Sequence, residues 1–184
     1  MEHLAREQLE AGLSHILAAP KEFGSIEMIV RRPAENQREV VQSCILDPLQ
    51  GLIGDNWLQR GCSQMADGSA HPDMQLNLMN SRVIDLLAQT RHRWPLAGDQ
   101  FYVDLDLSAA NLLPGNRLAI GPAVIEVTAE PHLGCKKFAE RFGHDAMRFV
   151  NSSRGKQHNL RGINARVLQA GAVNVGDTIR KLTV

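Results

Sequence analysis

The chain has little of several things, and each scarcity removes a class of protein. Aromatic residues make up 4% of its 184 positions, too few for a surface that stacks nucleobases. Twenty Lys and Arg balance twenty Asp and Glu, and no long basic run occurs, so neither nucleic acid nor an anionic membrane is expected as a partner. The three cysteines, Cys44, Cys62 and Cys135, are odd in number, scattered in spacing and without a CxxC pair. That argues against a disulfide framework or a zinc ribbon and fits a reducing compartment. No apolar run reaches membrane-spanning length, and the opening MEHLAREQLEAGLSHILAAP is too rich in Glu for a signal peptide. A cytoplasmic location is expected. Neither GxGxxG nor GxxxxGK[ST] is present, so a nucleotide-binding reading lacks its motif.

What is there is ordinary globular usage, 43% hydrophobic and 22% charged, in a length suited to one domain. Leu9, Leu13, Ile16 and Leu17 recur at helical spacing before Pro20, which predicts an amphipathic N-terminal helix within residues 1–22. It either packs on the domain or docks a partner. From residue 23 to 184 strand patterns dominate. FGSIEMIVR (Phe23 to Arg31) and the stretch from Glu39 to Leu46 read as two strands joined by a polar turn around Pro33 to Gln37. MQLNLM, from Met74, reads as a strand leading to a helix capped by Asn80 or Ser81 and running to Gln89. Phe101, Val103, Leu105 and Leu107 alternate as in a half-buried strand. Turns at Pro114-Gly115-Asn116, Gly121-Pro122 and Gly176-Asp177 separate further strands, and residues from Asn151 to His158 read as a polar loop. Many short strands with few short helices predict a barrel-like, mainly β domain.

One stretch carries chemistry. VIEVTAEPHLGCKKFAERF, Val124 to Phe142, runs an apolar strand into Cys135 at the start of a helix ending near Gly143. A cysteine acts as nucleophile or soft metal ligand as the thiolate, and a helix start with adjacent cations, here Lys136 and Lys137, is the setting where thiolates are found. His132, three residues earlier, could join Cys135 in a metal pair, although no second ligand pair completes a zinc site, and a Cys-His nucleophilic couple is open to any of the seven histidines, the fold deciding which imidazole reaches the sulfur. Arg161 beside Gly162 pairs a guanidinium with an open backbone, which suits an anion, or is a surface arginine at a strand entrance. Arg82, in the first turn of its helix, opposes the helix dipole and calls for an anion or carboxylate partner. Asp55, in the turn GLIGDN, caps local backbone donors by default. Cys44, inside a strand, reads as a buried hydrophobe.

Four segments together resemble the MOSC domain, the module named for the C-terminal part of molybdenum cofactor sulfurases. They are GLIGD at Gly51 to Asp55, LLPGNRLAIGPAVIEVT from Leu112, the cysteine of PHLGCKKF, and RGINARVLQAGAVNVGDTIR from Arg161. The resemblance implies a MOSC-like β-barrel with the N-terminal helix as an addition. It implies that Cys135 is the family cysteine, a carrier of persulfide sulfur or a ligand to the molybdenum of molybdopterin. A sulfur carrier, a molybdenum-dependent reductase and a non-catalytic cofactor-delivery module are the three functions this allows. Asp55, Arg82, His132, Lys136, Lys137 and Arg161 are the expected cofactor-binding residues, and a cysteine desulfurase or a molybdoenzyme is the expected partner. Pyridoxal phosphate belongs to a separate desulfurase domain and is not expected to bind here. Two departures stand out: Gly134 precedes the cysteine where the family often has Pro, and Asn56 follows Gly-Asp where it often has His.

Overall fold

The computed structural model describes residues 2–182. Its strands are β1 (Phe23–Arg31), β2 (Glu39–Val41), β3 (Ser43–Asp47), β4 (Gly51–Leu52), β5 (Leu76–Asn80), β6 (Phe101–Asp104), β7 (Arg117–Ile120), β8 (Ala123–Val127), β9 (Ile163–Gln169), β10 (Gly171–Asn174) and β11 (Thr178–Leu182). The helices are α1 (Arg6–Ala11), α2 (Leu13–Leu17), α3 (Trp57–Arg60), α4 (Ser81–Ala88), α5 (Lys136–Phe142), α6 (His144–Asn151) and α7 (Ser153–Gln157). Strands β11, β7, β8, β9, β5, β6 and β1 pair in that order, and β1 pairs back with β11, which closes a barrel. Every pairing in the ring is antiparallel except β5 with β6. A small sheet, β10-β3-β4, is not hydrogen-bonded into the ring but packs Leu46, Leu52 and Val173 into the barrel core.

Alternation along the strands makes two cores. Leu76, Leu78, Phe101, Val103, Ile125, Ala165 and Val167 fill the barrel interior with their neighbours. A second cluster lies outside the wall, where Met79 and Tyr102 meet Leu9, Leu13 and Ile16 of the first two helices, Val83 and Leu87 of α4, and Phe138, Phe142 and Phe149 of α5 and α6. In β1 a bulge between Ile26 and Met28 shifts the phase. Ile26 and Ile29 therefore belong to the barrel core while Met28 and Val30 belong to the outer cluster. The N-terminal segment breaks into two helices at Gly12, and its apolar face is spent on this outer core.

Most predicted elements are present with nearly the predicted limits. Asn80 caps α4, its side chain accepting from the Arg82 and Val83 amides at 2.8 and 3.3 Å. Two expectations are corrected. The single strand expected from Glu39 to Leu46 divides after Val41, since β2 pairs with β1 while β3 crosses to the small sheet. The segment expected as a loop from Asn151 to His158 contains α7, because Ser152 Oγ accepts from the Gly155 amide at 2.9 Å and starts a turn of helix. Gly155 has no room for a side chain: a Cβ there would lie 2.3 Å from the Phe149 carbonyl oxygen.

Candidate functional site

The site lies outside the barrel wall, between the ends of β1 and β5 and the start of α5. A cavity of about 460 Å³ opens there. Its lining includes Cys135, His132 and Phe138 from the β8–α5 side, Asn77 from β5, and Asn56 and Arg60 around α3. Five cations line it, Arg32, Arg38, Arg60, Lys137 and Arg141, against one carboxylate, Glu35.

The inner wall is built from two buried ion pairs. Arg32, just beyond β1, is held by Asp55, with Nε and Nη2 donating to the two carboxylate oxygens at 2.8 Å each. Its backbone amide donates to the same carboxylate at 2.9 Å, and Trp57 N at 3.0 Å. Asp55 thus caps α3, as a turn aspartate does, and also grips an arginine 23 positions away. Arg32 Nη1 reaches Asn77 Oδ1 at 3.0 Å, and Asn77 Nδ2 reaches Asn164 Oδ1 at 2.6 Å. In the second pair Arg161 donates through Nη1 to both oxygens of Asp99, at 2.9 and 2.8 Å. Its guanidinium carbon sits 4.9 Å over the Phe138 ring.

Three consecutive residues tie the pairs together. Ala97 O accepts from Arg161 Nη2 at 3.0 Å, Gly98 O accepts from Arg32 Nη1 at 2.9 Å, and Asp99 accepts from Arg161 and contacts His132 Nε2 at 2.8 Å. Burial pushes the Asp99 carboxyl up, but Arg161 and His132 against it hold it down at about 2. His132 titrates below the usual range, because burial and then Arg161 disfavour its cationic form, outweighing Asp99. The chain passes close to both β5 and the imidazole because residue 162 is glycine. With φ of +114°, a Cβ on Gly162 would stand 2.2 Å from the Leu78 carbonyl oxygen and 3.1 Å from His132 Cδ2.

The outer wall is less paired. Lys137 Nζ meets Glu35 Oε1 at 3.2 Å, with both side chains largely exposed. Arg141 Nη1 donates to the Leu96 carbonyl at 2.7 Å, and Arg38 Nη1 to the Gln37 carbonyl at 2.5 Å. Burial lowers the Arg38 pKa, and the neighbouring Arg141 and Arg32 lower it further. The cations repel one another, which an anion would relieve. Arg38 Nε and Asn56 Oδ1 are buried without a partner.

The cysteines separate as their surroundings dictate. Cys135 is exposed at the N-cap of α5. Cys44 packs against the barrel core, and burial raises its thiol to about 12, which makes it inert. Cys62 is half-buried in the segment after α3.

Of the expected cofactor-binding residues, His132 and Lys137 line the cavity with Cys135. Asp55 and Arg161 stand behind its lining: the anion that Arg161 meets is the protein's own Asp99. Arg161 also borders an adjoining cavity of about 360 Å³ beyond the 131–134 loop. Lys136 is exposed and off the lining. Arg82 finds its carboxylate in Asp104, with Nε to Oδ1 at 2.7 Å, and is not on the lining. Sequence reasoning missed Arg32, Arg38, Arg60, Arg141 and Asp99. Asp99 was visible only as part of a Gly-Asp turn, and the double arginine closing β1 was the one local sign of Arg32.

No helix among the described residues is long and apolar enough to cross a membrane. Comparison with curated proteins finds no match. Among solved structures the chain is similar to the YuaD protein from Bacillus subtilis, with 17% identity, 85% of this chain and 94% of that one covered, and a TM-score of 0.60. It is also similar to YiiM from Escherichia coli, with 20% identity, coverage of 87% and 70%, and a TM-score of 0.54. YiiM from Geobacillus stearothermophilus matches at 16% identity, coverage of 87% and 75%, and a TM-score of 0.56. These likenesses establish the fold. The family model for the MOSC domain matches residues 66–180, which include β5 to β10, the first part of β11 and Cys135, so the chain belongs to the MOSC domain family.

Proposed function

We propose that the protein binds the molybdenum cofactor and uses Cys135 to carry sulfur for metal-sulfur assembly. The observation that carries this reading is an exposed cysteine on a cavity with five cationic side chains and one carboxylate. The residues present fit an anionic pterin. A volume of about 460 Å³ is in the range of small-molecule sites, and the unpartnered Arg38 Nε and Asn56 Oδ1 are a donor and an acceptor the protein itself leaves unsatisfied. Arg38, Arg60 and Arg141 would hold the phosphate, since a guanidinium binds its oxygens through paired donors. Among the described residues no group of three His, Cys, Asp or Glu could hold a metal ion, so Cys135 would be the protein's soft ligand to a metal brought by the pterin. When bound, the cofactor supplies a molybdenum centre able to accept sulfur. As carrier, the Cys135 thiolate attacks the terminal sulfur of a persulfide donor, the donor S–S bond breaks, and the donor leaves as a thiolate.

Freshly purified protein is expected to contain cyanide-labile sulfur or bound molybdopterin, detected as its fluorescent oxidation product. Cys135→Ala should remove the labile sulfur without lowering Tm. Absence of both from the wild-type protein, even after incubation with cofactor and a persulfide donor, would overturn the reading.

A further inference from the structure

We propose that the cavity beyond the 131–134 loop is a second ligand site, built for a small monocarboxylate with an apolar body. Its volume of about 360 Å³ lies within the range of small-molecule sites. Pro131, Leu133 and Val150 give it apolar walls, and Lys156 and Arg161 give it two cationic side chains with no carboxylate on the lining. The site is separate from the Cys135 cavity, whose lining includes neither Lys156 nor Arg161, and it does not rest on the sulfur-carrier reading.

The polar groups indicate what the ligand carries. Arg161 is 6% exposed and borders this cavity. Its Nη1 is spent on Asp99 and its Nη2 on the Ala97 carbonyl, but Nε is buried without a partner. A buried donor left unmatched is rare enough to ask for an acceptor from outside the chain. The charge of Arg161 is already answered by Asp99, so the net charge of the ligand has to match Lys156. That side chain is exposed and makes no ion pair among the described residues. One uncompensated ammonium calls for one negative charge. A flexible four-carbon stem lets the ammonium close on a carboxylate that also accepts from Arg161 Nε. A phosphate-like group, by contrast, is better matched by the five cations of the Cys135 cavity.

The walls are in place before any ligand arrives. Asn151 holds the end of the 131–134 loop: its Oδ1 accepts from the Gly134 amide at 2.9 Å, and its Nδ2 donates to the Gly134 carbonyl at 2.8 Å. Asn159, also on the lining, is in the left-handed region at φ +46° and is held there by Nδ2 donating to the Leu107 carbonyl at 2.8 Å. Leu133 stays 46% exposed at this fixed wall, an apolar side chain that a hydrocarbon body would cover. A rigid cavity spends little of its binding energy on ordering.

The test titrates full-length protein with hexanoate, followed by ¹H–¹⁵N NMR of the backbone amides and of the arginine Nε–H groups. Saturable shifts are expected at Leu133, Lys156 and Asn159 and at Arg161 Nε–H, and they should persist when pyrophosphate is present at saturation. Lengthening the probe from acetate to hexanoate should tighten binding by up to about fourfold per CH₂, the scale of a fully buried methylene. Lys156→Gln should weaken hexanoate about tenfold, the scale of a hydrogen bond between charged groups, and hexanol should bind wild type more weakly than hexanoate does. Leu133→Glu, a second exposed position, should weaken hexanoate by placing a carboxylate beside the probe. Absence of saturable shifts at these residues would overturn the proposal, as would hexanoate affinity unchanged in either variant. Competitive displacement of hexanoate by pyrophosphate would also overturn it, since the probe would then occupy the Cys135 cavity.

Discussion

The two walls of the cavity use the same residue type to opposite ends. On the inner wall Arg32 and Arg161 are buried, each locked to a carboxylate through two or more hydrogen bonds, and each is also bound to a carbonyl of the 97–99 turn. On the outer wall Arg38, Arg60 and Arg141 have no carboxylate partner among the salt bridges of the described residues. A buried charge without a partner costs several kcal/mol, so an inner arginine is tolerated only because it is already neutralised. An outer arginine, partly hydrated, can stay uncompensated until an anion arrives. The inner pairs give the cavity its shape and the outer ones its charge.

The sharpest way to break that contrast is to remove a carboxylate from the inner wall. Asp55→Ala strands Arg32 and uncaps α3, and a loss on the order of 3–5 kcal/mol is expected in urea unfolding, the scale for breaking a buried pair; a loss below about 1 kcal/mol would show the pair to be ornamental. Acid should reach the inner wall selectively. Asp99 and His132 both titrate low in the folded protein, so the unfolded chain binds more protons and stability falls as pH falls. For His132 the loss begins as pH drops through about 6.5. For Asp99 it begins near about 3.9 and is complete below the folded value of about 2. Thermal unfolding between pH 8 and 3 should show Tm falling in these stages, and the His132→Gln variant should lack the first. On the outer wall the effect should move from stability to binding. Arg38→Ala is expected to change stability by under about 1 kcal/mol while weakening pyrophosphate, read by calorimetry, about tenfold, or ~1.4 kcal/mol. Arg82→Ala, which loses the contacts with Asp104 and with the His15 carbonyl away from the cavity, serves as the control and should leave pyrophosphate affinity unchanged.

The division also explains what could be read from residues alone. Strand alternation, the Asn80 cap and the helix between Cys135 and Gly143 are local, and local physics placed them. Cys135 and His132 were visible because they share one short segment with a distinctive composition. Arg32 and Asp99 were not, since their partners stand 23, 33 and 62 positions away and only the closed barrel brings them together. Arg161 was noticed for the right chemistry, an arginine that seeks an anion, but the anion was internal. The helix α7 escaped because its residues are polar throughout, and its position depends on Gly155 backing onto the end of α6. The division of the stretch after Glu39 into β2 and β3 escaped for a related reason: both halves have strand character, and only their partners differ.

The pairing of β1 with β11 carries a consequence for synthesis. The ring cannot close until the last strand is available, since Phe23, Gly24 and Ser25 wait for Arg180, Ile179 and Thr178. During translation the segment bearing Cys135 is complete while β9, β10 and β11 are still to come, so the thiol emerges before the barrel that carries Arg32 and the arginine that fixes Asp99. A nascent chain therefore presents the cysteine with only Lys136 and Lys137 beside it, and the buried arginine pairs are added at the end of folding.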